Sequence, residues 1–174
     1  MQKYWLNTPR LSFSIWTEDL YEYAFALWGN PLVTRYLCAT GCFLEEEIRT
    51  RLNTEIFNKE TYGVQYWPIF LQGTSQFIGS CGLRPYTKDS GAFEFGFYLL
   101  PQFHHMGYAQ EASQAVFTYA FSTLHAKALY CGHHSDNAAS RTCILRLGFK
   151  KIGEKLYPPT GLLHPLYRLN NAEN

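Results

Sequence analysis

The spacing of apolar residues in the first third of the chain predicts one short strand followed by two helices. The strand is Leu11 to Ile15, and the helices run from Thr17 to about Trp28 and from about Leu44 to near Lys59. Acidic residues in the first turn of each helix complement its dipole, and Gly29-Asn30-Pro31 ends the first helix.

From Gly63 the pattern predicts three β-strands, VQYWPIFL, QFIGSCGLRPY and AFEFGFYLL, joined by the polar turns QGTS and TKDSG. Such a series predicts an antiparallel meander. Pro68 inside the first of these strands favours an edge position, because proline cannot donate to a central ladder. Gly79 and Gly82 in the second strand indicate a bulge or a close approach of another backbone.

The last third of the chain combines both patterns. Small and apolar residues at helical spacing predict a helix from Gly107 to Thr123 that packs tightly on a sheet. The segment AKALYCG predicts a strand, NAASRTCILRLGF a helix ended by Gly148, and FKKIGEKL another strand. We interpret PPTGLLHPLYRL as a loop and a last short strand.

Length and composition favour a single globular domain over residues 1–174, with 47% hydrophobic and 17% aromatic residues. The formal net charge of +1 gives no general attraction to nucleic acid or to an anionic membrane. The sequence contains no apolar segment long enough to span a bilayer, so we expect a cytoplasmic protein. The five cysteines form no CxxC pair and are expected to be reduced thiols.

The turn HHMGYA, residues 104–109, lies where a predicted strand leads into a predicted helix. The first amides of a helix lack partners within the helix, and its dipole is positive there, so such a turn can bind a phosphate. Gly107 and Ala109 are small residues where a ligand would approach the backbone. The turn alone leaves three interpretations open: a phosphate site, a metal site, or the end of a strand.

A longer series of motifs surrounds this turn in a fixed order. Its members are Phe93-Glu94-Phe95-Gly96-Phe97, Leu100-Pro101, Gly107-Tyr108-Ala109, Glu111-Ala112, Asn137, Ser140 and Leu147-Gly148-Phe149. This order resembles the GCN5-related N-acetyltransferases (GNAT), in particular the branch that contains the ribosomal-protein N-terminal acetyltransferases. The resemblance covers nearly the whole chain.

The resemblance implies an α/β (α+β) GNAT fold in one domain. We expect a mixed sheet of about seven strands, an antiparallel meander of the second to fourth strands, splayed fourth and fifth strands, and about four helices on both faces. It also implies direct acetyl transfer from acetyl-CoA to a primary amine in a ternary complex. The acceptor is expected to be a protein N-terminal α-amine or a small-molecule amine. We expect no metal, no nucleic acid and no membrane partner, and a monomer or homodimer.

The resemblance also implies which residues bind acetyl-CoA. The turn formed by His104, His105, Met106, Gly107, Tyr108 and Ala109 matches the family's diphosphate loop, which binds through main-chain amides. His104 replaces the family's arginine or glutamine, and His105 replaces a common glycine, although histidine adopts left-handed backbone angles less easily. Amides around Phe97, Tyr98 and Leu99 are expected to polarise the acetyl carbonyl, and Asn137 to contact the pantetheine arm.

Two residues match catalytic positions of the family. Glu94 matches the general base, and strand alternation places it on one face with Gly96 and Tyr98. Ser140 matches a serine that is proposed to protonate the leaving thiolate. Two other interpretations are open: a solvent-exposed or salt-bridged carboxylate for Glu94, and a hydroxyl that satisfies the helix N-terminus for Ser140. The tyrosine acid of many family members is replaced by Ile144.

Two alternative functions compete with an acetyltransferase. A zinc site would require His104, His105, His133, His134 and Cys131 to converge, although adjacent histidines on a strand point to opposite faces. A catalytically silent CoA-binding regulatory module would fit the altered HHM turn.

In this fold the acceptor approaches on the side opposite CoA. The corresponding segments here are Trp28 to Glu45 and Tyr157 to Pro165. Trp16, Trp28, Tyr36 and Tyr157 are candidates to line that pocket, although aromatic residues on amphipathic helices more often belong to the core.

Overall fold

The structure, a computed structural model, describes residues 3–171, and eight β-strands in these residues form one sheet. The strands are β1 Leu6–Asn7, β2 Leu11–Phe13, β3 Tyr66–Leu71, β4 Phe77–Pro85, β5 Ala92–Leu99, β6 Ala128–Gly132, β7 Lys150–Tyr157 and β8 Leu162–Asn170. Their order in the sheet is β1-β2-β3-β4-β5-β6-β8-β7.

Five α-helices and three shorter helical turns connect the strands. The helices are α1 Tyr21–Trp28, α2 Pro31–Thr34, α3 Glu45–Tyr62, α4 Tyr108–Thr118 and α5 Ala138–Arg146. Short 3-10 turns precede α1 and α4, and a π-helical turn, Tyr119–Thr123, extends α4. The one helix that sequence patterning missed is α2, which Asn30 caps by accepting a hydrogen bond from the Leu32 amide at 3.0 Å.

The sheet confirms the predicted fold class. Strands β3, β4 and β5 form the antiparallel meander, and β5 pairs with β6 in parallel. The sheet has eight strands instead of about seven because the two-residue β1 pairs with β2, and so short a strand has no periodicity to detect. The last strand was expected to be short but has nine residues, since β8 pairs with both β6 and β7.

The edge position predicted for the strand containing Pro68 is wrong. Strand β3 is an interior strand that pairs with β2 on one side and β4 on the other. The residue pairing between β2 and β3 ends at Ile69, next to Pro68. Proline is tolerated at this position because the pairing with β2 does not need the N–H that proline lacks. The carbonyl of Pro68 still accepts a hydrogen bond from the Ser14 amide at 3.0 Å.

The glycines of β4 mark the predicted irregularity. The register between β3 and β4 shifts between Ile69 and Phe70, beside Gly79. A Cβ on Gly79 would lie 2.1 Å from the Tyr98 carbonyl oxygen, so the adjacent strand approaches too closely for any side chain. The predictions of a bulge and of a close backbone approach are therefore both confirmed.

Helices cover both faces of the sheet, and β4 shows this directly. Side chains alternate between the two faces along a strand. Arg84 of β4 pairs with Glu55 of α3, whereas the Cys81 thiol meets Ser113 of α4, and these two β4 residues lie on opposite faces. No helix in residues 3–171 combines the length and the apolar character that crossing a bilayer requires.

A buried carboxylate anchors α3 to the sheet. Glu55 is 0% exposed, accepts a hydrogen bond from the Tyr66 amide at 2.8 Å, and forms a salt bridge with Arg84. The Glu55 backbone carbonyl also accepts from the Gln65 side-chain amide at 3.0 Å. Burial lowers the pKa of Arg84, but the charge of Glu55, together with effects of Tyr66 and Tyr98 and the hydrogen bond to Glu55, leaves this pKa raised. Glu55 therefore fixes the start of β3 and the end of β4.

We expect Glu55→Gln to destabilise the fold by about 3 kcal/mol, because the substitution leaves the Arg84 guanidinium without its anionic partner. Urea denaturation of the two proteins measures the difference in the free energy of unfolding. The control is Glu60→Gln, an exposed position on the same helix, where we expect a change within about 0.5 kcal/mol. Equal stabilities of the Glu55 variant and this control would show that the buried pair contributes nothing.

Candidate functional site

The central feature of the site is the separation of two adjacent parallel strands. The pairing of β5 with β6 covers only Ala92, Phe93 and Glu94. Beyond Glu94, β5 continues alongside β4 as far as Leu99, whereas β6 stays paired with β8. The two strands therefore diverge and leave a cleft of about 960 Å³ that begins at Glu94.

Backbone groups of β5 face this cleft. The Leu100 amide donates to the Ile78 carbonyl of β4, so alternation along β5 directs the amides of Leu99 and Phe97 away from β4. The Leu99 carbonyl meets His104 Nε2 at 3.0 Å on the cleft side, which agrees with this alternation. Of the three residues predicted to polarise a carbonyl, Phe97 and Leu99 present their amides to the cleft, whereas the Tyr98 amide belongs to the β4 ladder.

The turn of residues 104–109 forms one end of the cleft. Gly107 is the N-cap of α4 and has φ of +79°, so the first amides of α4 are open to a ligand. A side chain at this position would crowd Arg10, because its Cβ would lie 3.3 Å from Arg10 Nη2. Five of the six predicted turn residues line the cleft, and Met106 does not. These features fit an anionic group such as a diphosphate.

Arg10 supports this turn from outside the motif, and sequence reasoning missed it. Its Nη1 donates to the Met106 carbonyl at 2.9 Å, and its Nε donates to Glu111 at 2.5 Å. The Thr8 hydroxyl donates to the same carboxylate at 2.6 Å. Although burial raises the pKa of Glu111, the hydrogen bonds from Thr8 and Arg10 leave it below its ordinary value. No spacing rule could connect Arg10 with a helix 101 residues away.

Glu94 lies where the two strands part. The Tyr66 hydroxyl donates to its Oε1 at 3.2 Å, and Lys155 Nζ lies 3.9 Å from its Oε2. Burial and the charge of Glu94 raise the pKa of Tyr66, so this phenol stays protonated and can donate. Gly96 makes the contact possible, because a Cβ there would lie 2.7 Å from the Tyr66 hydroxyl. The carboxylate is thus held in the cleft while about a third of it (37%) stays exposed.

Tyr98 lies on the same face of β5 as Glu94, as strand alternation predicts. Its ring centroid is 5.9 Å from that of Tyr66. Burial raises the pKa of Tyr98 to about 12, so this phenol is also uncharged near neutral pH. The wall of the cleft next to Glu94 is therefore aromatic, and the Arg84 guanidinium lies over it, 4.3 Å from the centroid of the Tyr66 ring.

Asn137 and Ser140 lie on the opposite wall. The Asn137 carbonyl oxygen caps α5 by accepting from the Ser140 amide at 3.0 Å, which leaves the Asn137 amide nitrogen for a ligand. Both residues line the cleft, and within residues 3–171 the Ser140 hydroxyl has no hydrogen-bond partner. The alternative in which the Ser140 hydroxyl satisfies the helix N-terminus is therefore not what the structure shows, because the hydrogen bond is made by the Ser140 amide. Ile144, at the position of the missing tyrosine, is buried in the core.

The aromatic residues expected at the acceptor end divide into two groups. Trp16 and Trp28 are core residues with ring centroids 5.3 Å apart, and neither lines the cleft, so the core alternative given for such aromatic residues applies to both. Trp28 lies on α1, which packs against α3, and Trp16 donates from its Nε1 to the Tyr66 carbonyl of β3 at 2.7 Å. Tyr36 and Tyr157 do line the cleft.

The described residues, 3–171, contain no group of three or more His, Cys, Asp or Glu side chains that could hold a metal ion. Their histidines make other contacts. His133 Nε2 lies 3.0 Å from the Tyr167 hydroxyl, and His164 Nε2 lies 3.0 Å from the Thr160 hydroxyl.

Residues 10–150 match the family model described as the acetyltransferase (GNAT) domain. The uncharacterized N-acetyltransferase YoaA of Bacillus subtilis strain 168 is 29% identical over 149 residues, which cover 85% of this chain and 84% of YoaA. The uncharacterized N-acetyltransferase p20 of Bacillus licheniformis is 26% identical over 150 residues, 85% of this chain and 83% of p20.

Solved structures share the fold at lower identity. A GNAT-family acetyltransferase from Bacillus anthracis aligns with a TM-score of 0.79 and 20% identity, covering 95% of this chain and 97% of that one. RimL, a ribosomal L7/L12 alpha-N-protein acetyltransferase solved with coenzyme A, aligns with a TM-score of 0.80 and 17% identity, covering 99% and 100%. At these identities the likeness shows the fold alone.

The backbone of His105 leads to a prediction about stability. This residue has φ of +62°, the left-handed conformation that histidine adopts less easily than glycine. We expect His105→Gly to stabilise the protein by about 1 kcal/mol, and the branched His105→Val to destabilise it. Thermal and urea unfolding measure both changes.

Gln102→Gly provides the control for added backbone freedom in a neighbouring exposed residue that does not have a positive φ. We expect it to be neutral or destabilising. A His105→Gly variant that is no more stable than Gln102→Gly would show that the turn stores no strain at this residue.

Proposed function

The chain belongs to the acetyltransferase (GNAT) domain family, and from this membership we propose that it moves the acetyl group of acetyl-CoA directly to a primary amine bound in the same cleft. One observation carries the proposal. Strands β5 and β6 separate at Glu94, so one cavity is lined by backbone groups of β5, by the Glu94 carboxylate and by the N-terminus of α4. Its relatives are named N-acetyltransferases, and we therefore class the protein as an acyltransferase.

For acetyl-CoA binding, we propose that the main chain of residues 104–109 holds the diphosphate at the N-terminus of α4. The pantetheine arm would lie along the cleft edge of β5, against Phe97 and Leu99, with the Asn137 amide nitrogen donating to it. RimL, which has the same fold, was solved with coenzyme A, and this supports the assignment. No metal takes part in this proposal.

In the proposed chemistry, Glu94 accepts a proton from the acceptor amine, directly or through a water. The amine nitrogen forms a bond to the acetyl carbon, and the carbon–sulfur bond breaks. Negative charge that develops on the carbonyl oxygen is stabilised by the amides that face the cleft. Ser140 gives a proton to the departing thiolate and regains one from solvent, and Glu94 releases the amine proton to solvent, so the products are an amide and free CoA thiol.

The contacts around Glu94 support its role as base. Tyr66 donates one hydrogen bond to the carboxylate, and Lys155 lies near its second oxygen, so both orient the group without burying it. The accessible fraction of Glu94 gives an amine room to approach. The salt-bridge interpretation and the catalytic one are compatible, because a 3.9 Å contact between partly exposed groups is weak.

The proposed acceptor is a protein N-terminal α-amine or a small-molecule amine. RimL acts on a ribosomal protein N-terminus and shares the fold, which supports the first. We propose that residues 1–174 form one N-acetyltransferase domain that works as a monomer or homodimer in the cytoplasm. The alternative of a silent CoA-binding module is favoured by one observation, the strained His105 in the diphosphate loop.

An acceptor screen with acetyl-CoA tests the proposal. Peptides with free N-termini, polyamines, aminoglycosides and simple monoamines are incubated with the protein, and thiol release is followed together with acetyl-CoA binding by calorimetry. We expect binding and turnover of at least one class of amine. Binding without any turnover would support the silent module, and no binding would contradict both functions.

We expect Glu94→Gln to lower kcat/KM for acetyl transfer at neutral pH about 100-fold or more, because the variant keeps the shape of the side chain but cannot accept a proton. Acetyl-CoA affinity, measured by calorimetry, should stay within about twofold of the parent protein. Glu60→Gln, remote from the cleft, is the control. Undiminished turnover of the Glu94 variant at neutral pH would exclude Glu94 as the base.

We expect Arg10→Gln to weaken acetyl-CoA binding about tenfold, because the Met106 carbonyl and Glu111 lose the group that holds the turn in place. Acetyl-pantetheine lacks the diphosphate, so its KM should not change in the same variant. This comparison separates a defect in the diphosphate loop from a general loss of structure. An equal loss for both donors would contradict the assignment.

A further inference from the structure

Four contiguous aromatic rings line one end of the cleft, and we call them the ring wall: Tyr36, His134, His164 and Tyr157. Neighbouring centroids along this series are 5.1, 5.2 and 4.7 Å apart, and the last pair is stacked at 27°. Burial, with smaller effects from His134 and His133, lowers the pKa of His164, so this ring is uncharged near neutral pH. The ring wall thus offers flat, weakly polar surfaces.

A backbone hydrogen bond limits the space behind the ring wall. The Ala39 amide donates to the Pro159 carbonyl at 2.9 Å, which ties the segment after α2 to the turn between β7 and β8. The two segments that border this end of the cleft are therefore joined to each other. No acceptor can pass between the Ala39 amide and the Pro159 carbonyl while this hydrogen bond is formed, so the acceptor must fit within the cleft itself.

Charge at this end of the cleft is predominantly positive. Among the described residues that line the cleft, Glu94 is the one carboxylate, whereas Arg35, Arg84, Arg146 and Lys155 are cationic. Arg84 is paired with buried Glu55, and Lys155 lies near Glu94. Arg35 is exposed, forms no ion pair with a residue in 3–171, and lies 4.7 Å over the Tyr36 ring.

From this arrangement, and resting on the proposed acetyl transfer, we propose that the acceptor is a small planar monoamine that carries an anionic group. Its amine approaches Glu94, its planar body contacts the ring wall, and its anionic group pairs with Arg35. A second ammonium group in the acceptor would meet Arg35 and Lys155, and the described lining of the cleft holds no second carboxylate to receive it; Asp136, 3.9 Å from His134 Nδ1, lies outside that lining. Polyamines and aminoglycosides are therefore poor acceptors.

Three probes of equal shape test the proposal: para-(aminomethyl)benzoate, para-(aminomethyl)benzamide and para-xylylenediamine. They present the same benzylic amine, and the opposite substituent is anionic, neutral or cationic. We expect kcat/KM to fall in that order, with a total change of about tenfold or more after correction for the two equivalent amines of the diamine.

The Arg35→Glu variant should reverse the order of the three probes, because the anionic group then meets a carboxylate and the cationic group gains a partner. Lys150→Glu is the matched control: it makes the same kind of charge reversal at an exposed residue that does not line the cleft, and it should keep the parent order. Acetyl-CoA affinity measured by calorimetry verifies that each variant is folded and binds its donor.

Three results would overturn the inference: a diamine that is used as well as the benzoate, an order of probes unchanged by Arg35→Glu, or acetylation of N-terminal peptides with rejection of all three probes. In each case acetyl transfer itself stands, because thiol is released. Absence of acetyl-CoA binding by the parent protein would instead contradict the proposed function, and the inference would fall with it.

Discussion

The site depends on the interruption of one parallel strand pair. Strands β5 and β6 exchange hydrogen bonds over three residue pairs and then separate, because β5 stays bound to β4 and β6 stays bound to β8. A sheet interior normally satisfies its own backbone groups, so this separation leaves amides and carbonyls along one edge of β5 to be satisfied by water or a ligand. A thioester with an amide-rich arm is the type of ligand that can use such an edge, and the same separation exposes Glu94 at its base.

Two polar clusters hold the walls around this opening. Glu55 and Arg84 fix the end of β4 and the start of β3, and through Tyr66 they determine where the Glu94 carboxylate lies. Arg10 and Glu111 fix the turn before α4 from the other side of the molecule. Each cluster joins elements that are distant in the sequence, so the cleft is shaped by ion pairs and hydrogen bonds outside the motif residues.

Much of the fold and part of the site could be predicted because the signals are local. The meander, the strand-turn-helix around residues 104–109 and the helix ended by Gly148 follow from periodicity and from turn residues, and the structure confirms them. The left-handed backbone at His105 was indicated by the family resemblance and not by a local pattern, since a glycine is common at this position of the family. The edge position predicted from Pro68 was wrong because the missing N–H of proline affects hydrogen bonding on only one side of a strand. Whether a partner strand lies on that side depends on the tertiary fold. For Trp16 and Trp28 the sequence left both core and pocket open, because aromatic residues occur in both, and the structure places them in the core.

The sequence by itself determined the order of the elements, the family resemblance and the positions of Glu94, Asn137 and Ser140 within its motifs. Only the tertiary structure decided that Tyr66 donates to Glu94, that Arg10 supports the turn before α4, and that Tyr36 and Tyr157 belong to one ring wall. The physical reason is sequence separation. Backbone conformation and amphipathic faces depend on residues a few positions apart, whereas a hydrogen bond between residues 10 and 106 exists only after the sheet has brought distant segments together.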